Sequence, residues 1–237
     1  MAISFNTPNF KSNFNNVSFG SNVVKGINSA IQPLASDTFS KSAKVAAAVT
    51  TPIAALNIPK SDSFTTKMVS LRENPKIKEK IYITRNNKPF VDGANFYQYD
   101  KNSKLIGKMN VDADVANDCL GAPKFYKDKG FSYIDFLQTA NVGRGKSPYK
   151  GLGTEMLKSA VEYSKEKGHD GRIGLLALNQ TGVSPTPFYF KNGLRFSGED
   201  MNKLMQDYLA GKTDVFPDSG FMYLPEENIE KLLASIS

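Results

Sequence analysis

The spacing of apolar residues divides the chain near residue 60. Before that point Phe5, Phe10, Phe14 and Phe19 are scattered among asparagine, serine and threonine with neither a helical nor a strand period. Such a segment buries too little apolar surface to offset the entropy of ordering it, so residues 1–60 read as a flexible, disordered Asn/Ser-rich tail. A sharper alternative is that the spaced phenylalanines dock onto a partner or onto the body. From about residue 61 the pattern becomes regular. Lys80 to Thr84 (KIYIT) alternates as a strand, and Asn95–Asp100 with Lys104–Val111 predicts a hairpin closed by the polar turn DKNS. Residues 112–130, with Gly121, Pro123 and Gly130, read as loop, and Phe131–Thr139 as a longer strand.

The period then switches to helical. Thr154–Lys167 places Met156, Leu157, Ala160, Val161 and Ser164 on one face and Lys158, Glu162 and Glu166 on the other, and Gly168 stops it. An apolar strand is expected at Arg172–Leu178. Ser184-Pro185-Thr186-Pro187 opens a short helix that ends at Gly193, because proline is tolerated in a first turn. A short strand at RFSG follows. Then come a helix at Met201–Ala210, with Met201, Leu204, Met205, Tyr208 and Leu209 inward, a strand at Phe221–Leu224 and a helix at Glu226–Ser235. This order predicts an α/β (α+β) domain with a mixed, mostly antiparallel central sheet flanked by helices.

Composition narrows the function classes. Residues 1–60 hold five lysines against one acid, Asp37, leaving only +3 of the chain's net +7 for the remainder. An excess of that size attracts anions weakly and calls for no nucleic-acid partner. The single cysteine, Cys119, excludes an intramolecular disulfide and suits a reducing, cytoplasmic compartment; the single histidine, His169, excludes a His-rich metal site, so no metal is expected. Residues 2–20 lack the apolar core of a signal peptide, and the alanine-rich Val45–Leu56 is interrupted by Pro52 and too short to span a bilayer.

The segment richest in chemistry is GRGKSPYKGLGTEML, Gly143 to Leu157, between a predicted strand and a predicted helix. Its glycines allow close backbone approach, the helix start offers unpaired N–H groups, and Arg144, Lys146 and Lys150 add charge, which together suit a phosphate. The plain alternative is a sharp turn with solvated lysines. ANVGRGKS, Ala140 to Ser147, also fits a loose nucleotide P-loop, but there the helix would start at the Gly-Lys-Ser step, where Pro148, Gly151 and Gly153 oppose it.

PYKGLGTEML resembles the signature loop of the GNAT superfamily of N-acetyltransferases, Gln/Arg-x-x-Gly-x-Gly/Ala, with Gly151 and Gly153 in the glycine places. Pro148 stands in the Gln/Arg place, leaving Arg144 or Lys146 to serve the phosphates. FYFKNGLRF, Phe188 to Phe196, is similar to the family's second signature, a tyrosine on a short helix before Lys-x-Gly and an aromatic strand. The resemblance covers about residues 80–236. It implies an acetyl-CoA-dependent N-acyltransferase, with acetyl-CoA as cosubstrate and a small-molecule or protein amine as acceptor. The backbone of Tyr149, Lys150, Gly151, Leu152, Gly153 and Thr154 would hold the pyrophosphate, and Leu137, Gln138 and Thr139 the pantetheine arm. Tyr189, at the family's tyrosine position, would protonate the departing thiolate. Asp135, read as sharing a strand face with Phe131, Tyr133 and Leu137, is the candidate base, because a carboxylate among apolar neighbours gains proton affinity. Glu155 reads as a first-turn acid on the helix dipole, His169 as an exposed turn residue, and Cys119 as a small loop or core residue. A GNAT-like domain that binds acyl-CoA without turnover, a P-loop protein, and a basic module that holds a partner through residues 1–30 remain open alternatives.

Overall fold

A computed structural model of the protein describes residues 57–113, 121–139, 147–178, 184–217 and 219–235. The expectations for residues 1–56, and those for Cys119, Arg144 and Lys146, lie outside the described residues.

The described residues form a mixed α/β fold around one eight-stranded sheet, ordered β1-β2-β3-β4-β5-β6-β8-β7. The strands are β1 (Ser63–Ser70), β2 (Lys78–Asn87), β3 (Gly93–Tyr99), β4 (Leu105–Asp112), β5 (Ser132–Thr139), β6 (Ile173–Ala177), β7 (Arg195–Phe196) and β8 (Gly220–Tyr223). Every neighbouring pair is antiparallel except β5 and β6, which run parallel. That exception follows from chain order: α2 (Leu152–Glu166) connects β5 to β6, and a crossover helix returns the chain to the end where it began. The remaining helices are α1 (Lys124–Lys129), α3 (Thr186–Lys191), α4 (Glu199–Leu209) and α5 (Glu226–Ala234).

The main core lies on the sheet face that α2 covers. Alternate strand residues (Ile83, Phe96, Met109, Val111, Ile134, Ile173, Leu175 and Met222) meet Met156, Leu157, Ala160 and Val161 of α2 and Ile229 and Leu232 of α5. A smaller cluster on the opposite face joins Tyr126 of α1 to Phe131 and Phe221, with Tyr133 and Tyr223 partly buried against it. Within that cluster Gly174 leaves room for an aromatic neighbour, since a Cβ there would stand 2.5 Å from the Phe221 ring and 3.1 Å from Phe131.

Several expectations are corrected. β1 pairs along its whole length with β2, although its sequence SFTTKMVS carries too few apolar residues to announce it. The stretch expected to be loop contains α1, whose one buried residue, Tyr126, docks it by donating to the carbonyl of Leu224. In α4 only Met205 is fully buried, while Tyr208 and Leu209, expected inward, are exposed, and Tyr208 packs edge-on against Phe216. Lys158, expected on the face of α2 opposite the apolar one, is buried beside Glu155 at 3.0 Å and also donates to the carbonyl of Ser235; Glu155 is the first-turn acid expected, and it is buried too. His169 is half-buried: its ring covers Gly130, and Nδ1 lies 3.4 Å from the Ser132 hydroxyl.

Replacing Gly174 by alanine is expected to cost about 1–3 kcal/mol, because two rings must move to admit one methyl group. Urea unfolding monitored by circular dichroism measures it.

Candidate functional site

The site is built where the parallel pair comes apart. β5 and β6 share three residue pairs, Ser132–Ile173, Tyr133–Gly174 and Ile134–Leu175, and no more. β5 nevertheless continues to Thr139 and β6 to Ala177. Beyond Ile134, among the described residues, each strand stays paired on its far side only, β5 with β4 and β6 with β8. Their facing edges therefore present backbone polar groups that need water or a ligand. Phe136 on β5 and Leu176 on β6, both pointing away from the face covered by α2, are exposed apolar side chains beside this fork.

A bulge marks the point of divergence. Asn110 pairs with Phe136 and Val111 with Ile134, so Asp135 is the extra residue on β5. A bulge bends its strand and resets the alternation of faces. Leu137 consequently packs against the main core on the side of Ile134, whereas Tyr133 packs with the opposite cluster. The expectation that Asp135, Tyr133 and Leu137 share one face is thus corrected, and the setting of Asp135 with it: its side chain is exposed at the kink, not enclosed by apolar neighbours. Gln138 is exposed and Thr139 half-buried at the strand's end.

The loop into α2 is pinned from beneath. Tyr149 forms a bridge with Leu71, the Lys150 amide donates to the Ser70 carbonyl at 2.8 Å, and the Arg72 amide donates to the Pro148 carbonyl at 2.7 Å. The side chains of Tyr149 and Leu152 are buried with Val69, Ile81 and Ile106, and the Gln98 side-chain amide donates to the Leu152 carbonyl. Burial raises the Tyr149 hydroxyl's affinity for its proton, with Asp100 and Glu79 adding to it.

This anchoring spends part of the expected cradle. The Tyr149 amide is turned to the Ser147 hydroxyl and the Lys150 amide to Ser70, which leaves the amides of Leu152, Gly153 and Thr154 at the helix start. α2 has no side-chain cap there, and its cap residue Gly151 adopts the left-handed region at φ 82°. Three uncapped amides at the positive end of a 15-residue helix suit an anion. The Lys150 side chain is exposed beside them. Ser147 to Gly151 are not helical, so α2 does not begin at the Gly-Lys-Ser step that a P-loop requires.

The two glycines of the motif serve different ends. Gly151 supplies the left-handed turn. Gly153 supplies space, since a Cβ there would lie 2.6 Å from the tip of the Phe188 ring. That contact, with the Thr154 hydroxyl donating to Asn192 Oδ1 at 2.9 Å, seats α3 against the first turn of α2. Tyr189 is next along α3. It is buried, in the cluster that Ala177 of β6 joins and Leu137 of β5 packs against, and its ring stands edge-on to Phe188 at 5.3 Å. Burial pushes its hydroxyl up to about 12, so it is protonated at neutral pH and able to donate. Sequence reasoning missed the fork and the bulge, which leave no local signal, and the Phe188–Gly153 contact, which joins residues 35 positions apart.

No family model matches the sequence, and no curated protein matches it significantly. Among solved structures the chain is similar to a GNAT-family acetyltransferase from Staphylococcus aureus Mu50 (TM-score 0.37, 16% identity, covering 58% of this chain and 70% of that one). It is also similar to nourseothricin acetyltransferase (0.36, 17%, 71% and 90%) and to Tetrahymena GCN5 (0.33, 14%, 56% and 68%).

Gly153→Ala is expected to destabilise the protein by about 1–3 kcal/mol through the Phe188 clash. Adding Phe188→Leu should recover part of that loss in a double-mutant cycle; full additivity would show that the two sites do not touch. Tyr189 also predicts an alkaline transition. Its folded pKa is raised above the unfolded value of 10.0, so its stabilisation is complete below pH 10 and is lost as pH rises to about 12. Tyr189→Phe should flatten the fall of unfolding free energy across that window, as read by denaturant titrations at successive pH values.

Proposed function

We propose that the chain is an N-acyltransferase of the GNAT type, moving an acetyl group from acetyl-CoA to a primary amine by direct attack in a ternary complex. One observation carries the reading. Strands β5 and β6 part beyond Ile134 and Leu175, and α2, the next helix in the chain after β5, has an uncapped start. A slot edged by backbone donors and acceptors suits the amide-rich pantetheine arm, and the amides of Leu152, Gly153 and Thr154 suit the pyrophosphate. Exposed Phe136 and Leu176 would cover the apolar part of the arm or of the acceptor.

In this reading Leu137, Gln138 and Thr139 hold the arm through their backbone, and Lys150, with Arg144 and Lys146, neutralises phosphate charge. The amine attacks the thioester carbonyl, a C–N bond forms, and the C–S bond breaks. The Tyr189 hydroxyl donates its proton to the departing thiolate, which suits a group kept neutral by burial. Asp135, at the bulge and open to solvent, accepts the amine proton directly or through water. No acyl-enzyme nucleophile is needed.

Calorimetry with acetyl-CoA and with ATP, followed by thiol release with a panel of amines, tests the assignment. Saturable binding of acetyl-CoA and not ATP, with amine-dependent thiol release, is expected; binding without release would identify a non-catalytic acyl-CoA-binding domain. Tyr189→Phe should lower turnover about 10²–10⁴-fold with acetyl-CoA affinity nearly unchanged. Unchanged turnover in that variant would remove Tyr189 from the acid role.

A further inference from the structure

A second concavity, of about 340 Å³, opens between the end of α3, β7 and α5. Three cations line it: Lys191 from α3, Arg195 from β7 and Lys231 from α5; among the described residues no carboxylate does. Among the described residues none of the three forms an ion pair. Solvated lysines on a surface helix would by themselves mean little. Arg195 differs. It is half-buried, its guanidinium lies 4.1 Å from the centre of the Phe190 ring, and Nη1 is fixed by the carbonyls of Phe190 and Leu194 at 2.9 and 2.7 Å. Burial opposes its charge, and Glu227 and Tyr223 offset this through space without an ion pair.

The end of a helix normally repels anions, because its last carbonyls point outward. Here the Phe188, Tyr189 and Phe190 carbonyls are occupied: they accept from the Asn192 side-chain amide, the Leu194 amide and Arg195. Just past the helix the Asn228 side-chain amide donates to the carbonyl of Gly193 at 2.9 Å. Asn228 Oδ1 in turn accepts from Lys231 at 3.1 Å, which holds that ammonium group at the rim. Phe190 and Leu232, both buried side chains, contribute apolar surface beneath.

We propose that this concavity binds a small phosphate monoester with an apolar body. Its phosphate meets Lys191, Arg195 and Lys231, and its apolar part lies on Phe190 and Leu232. A charge-assisted phosphate contact from a planar guanidinium is stronger than its neutral equivalent, and a partly desolvated cation without a carboxylate partner gains most from it. The concavity adjoins the acyl-CoA site proposed above, since Asn192, which lines it, accepts from the Thr154 hydroxyl at the start of α2, and the Lys191 and Lys231 variants tell the two apart.

Calorimetric titration of the full chain with phenyl phosphate, inorganic phosphate and phenol tests the proposal. Phenyl phosphate is expected to bind saturably and more tightly than either fragment, and Lys191→Gln/Lys231→Gln, both exposed positions, should weaken it about tenfold or more with an unchanged thermal unfolding midpoint. Arg195→Lys should weaken it further, because an ammonium cannot reproduce the fork. Absence of saturable binding up to about 10 mM phenyl phosphate, or affinity undiminished in the double variant, would overturn the site. Equal affinity for inorganic and phenyl phosphate would overturn the apolar part of the assignment.

Discussion

The parting of a parallel strand pair is the constraint from which the rest of the site follows. A sheet held by continuous ladders has no unpaired interior edge, and a small domain does not leave one open without means to satisfy it. β5 and β6 are held together by three residue pairs at one end and separated at the other, each keeping its outer ladder. The bulge at Asp135 bends β5 at the point where the pairing ceases. α2, joined to the open end, is packed to the sheet by Met156, Leu157, Ala160 and Val161. Fork and helix start are therefore both fixed by the packing of α2 on the sheet.

Rigidity at the helix start is secured mostly by groups that do not face a ligand. Tyr149 and Leu152 are buried, the Lys150 and Tyr149 amides are spent on Ser70 and Ser147, and the Gln98 amide reaches the Leu152 carbonyl. The amides that follow, from Leu152 to Thr154, open α2 without a side-chain cap. The division is physically sensible, since a cradle of backbone donors stabilises an anion only if the donors need not reorganise. The glycines divide in the same way: Gly151 sets the turn, and Gly153 admits Phe188, so that α3 and Tyr189 are located by a packing contact with the first turn of α2.

Much of this protein was legible from its sequence. The strands at 95–100, 104–111, 131–139 and 172–178 and the helices at 154–167 and 226–235 were readable because period-2 and period-3.6 patterns are local and strong. The Gly-x-Gly segment before an amphipathic helix marked a candidate phosphate loop, whereas Tyr189 was singled out as a candidate acid only by the resemblance of FYFKNGLRF to a family signature. β1 and α1 were not legible, because each owes its existence to a neighbour: β1 to its ladder with β2, and α1 to the seat of Tyr126 beneath Leu224.

The sequence by itself determined the strongly periodic strands and helices and drew attention to the glycine-rich segment before α2. Tertiary structure alone decided where β5 leaves β6, that Asp135 is exposed at a bulge while Leu137 turns to the core, that Lys158 is buried with Glu155, and that Gly153 is small for the sake of Phe188. The reason is the same in each case. Periodicity records the face a residue presents to its own element, whereas a bulge, a buried ion pair and a helix contact each depend on an element distant in the chain, whose position only the packed fold supplies.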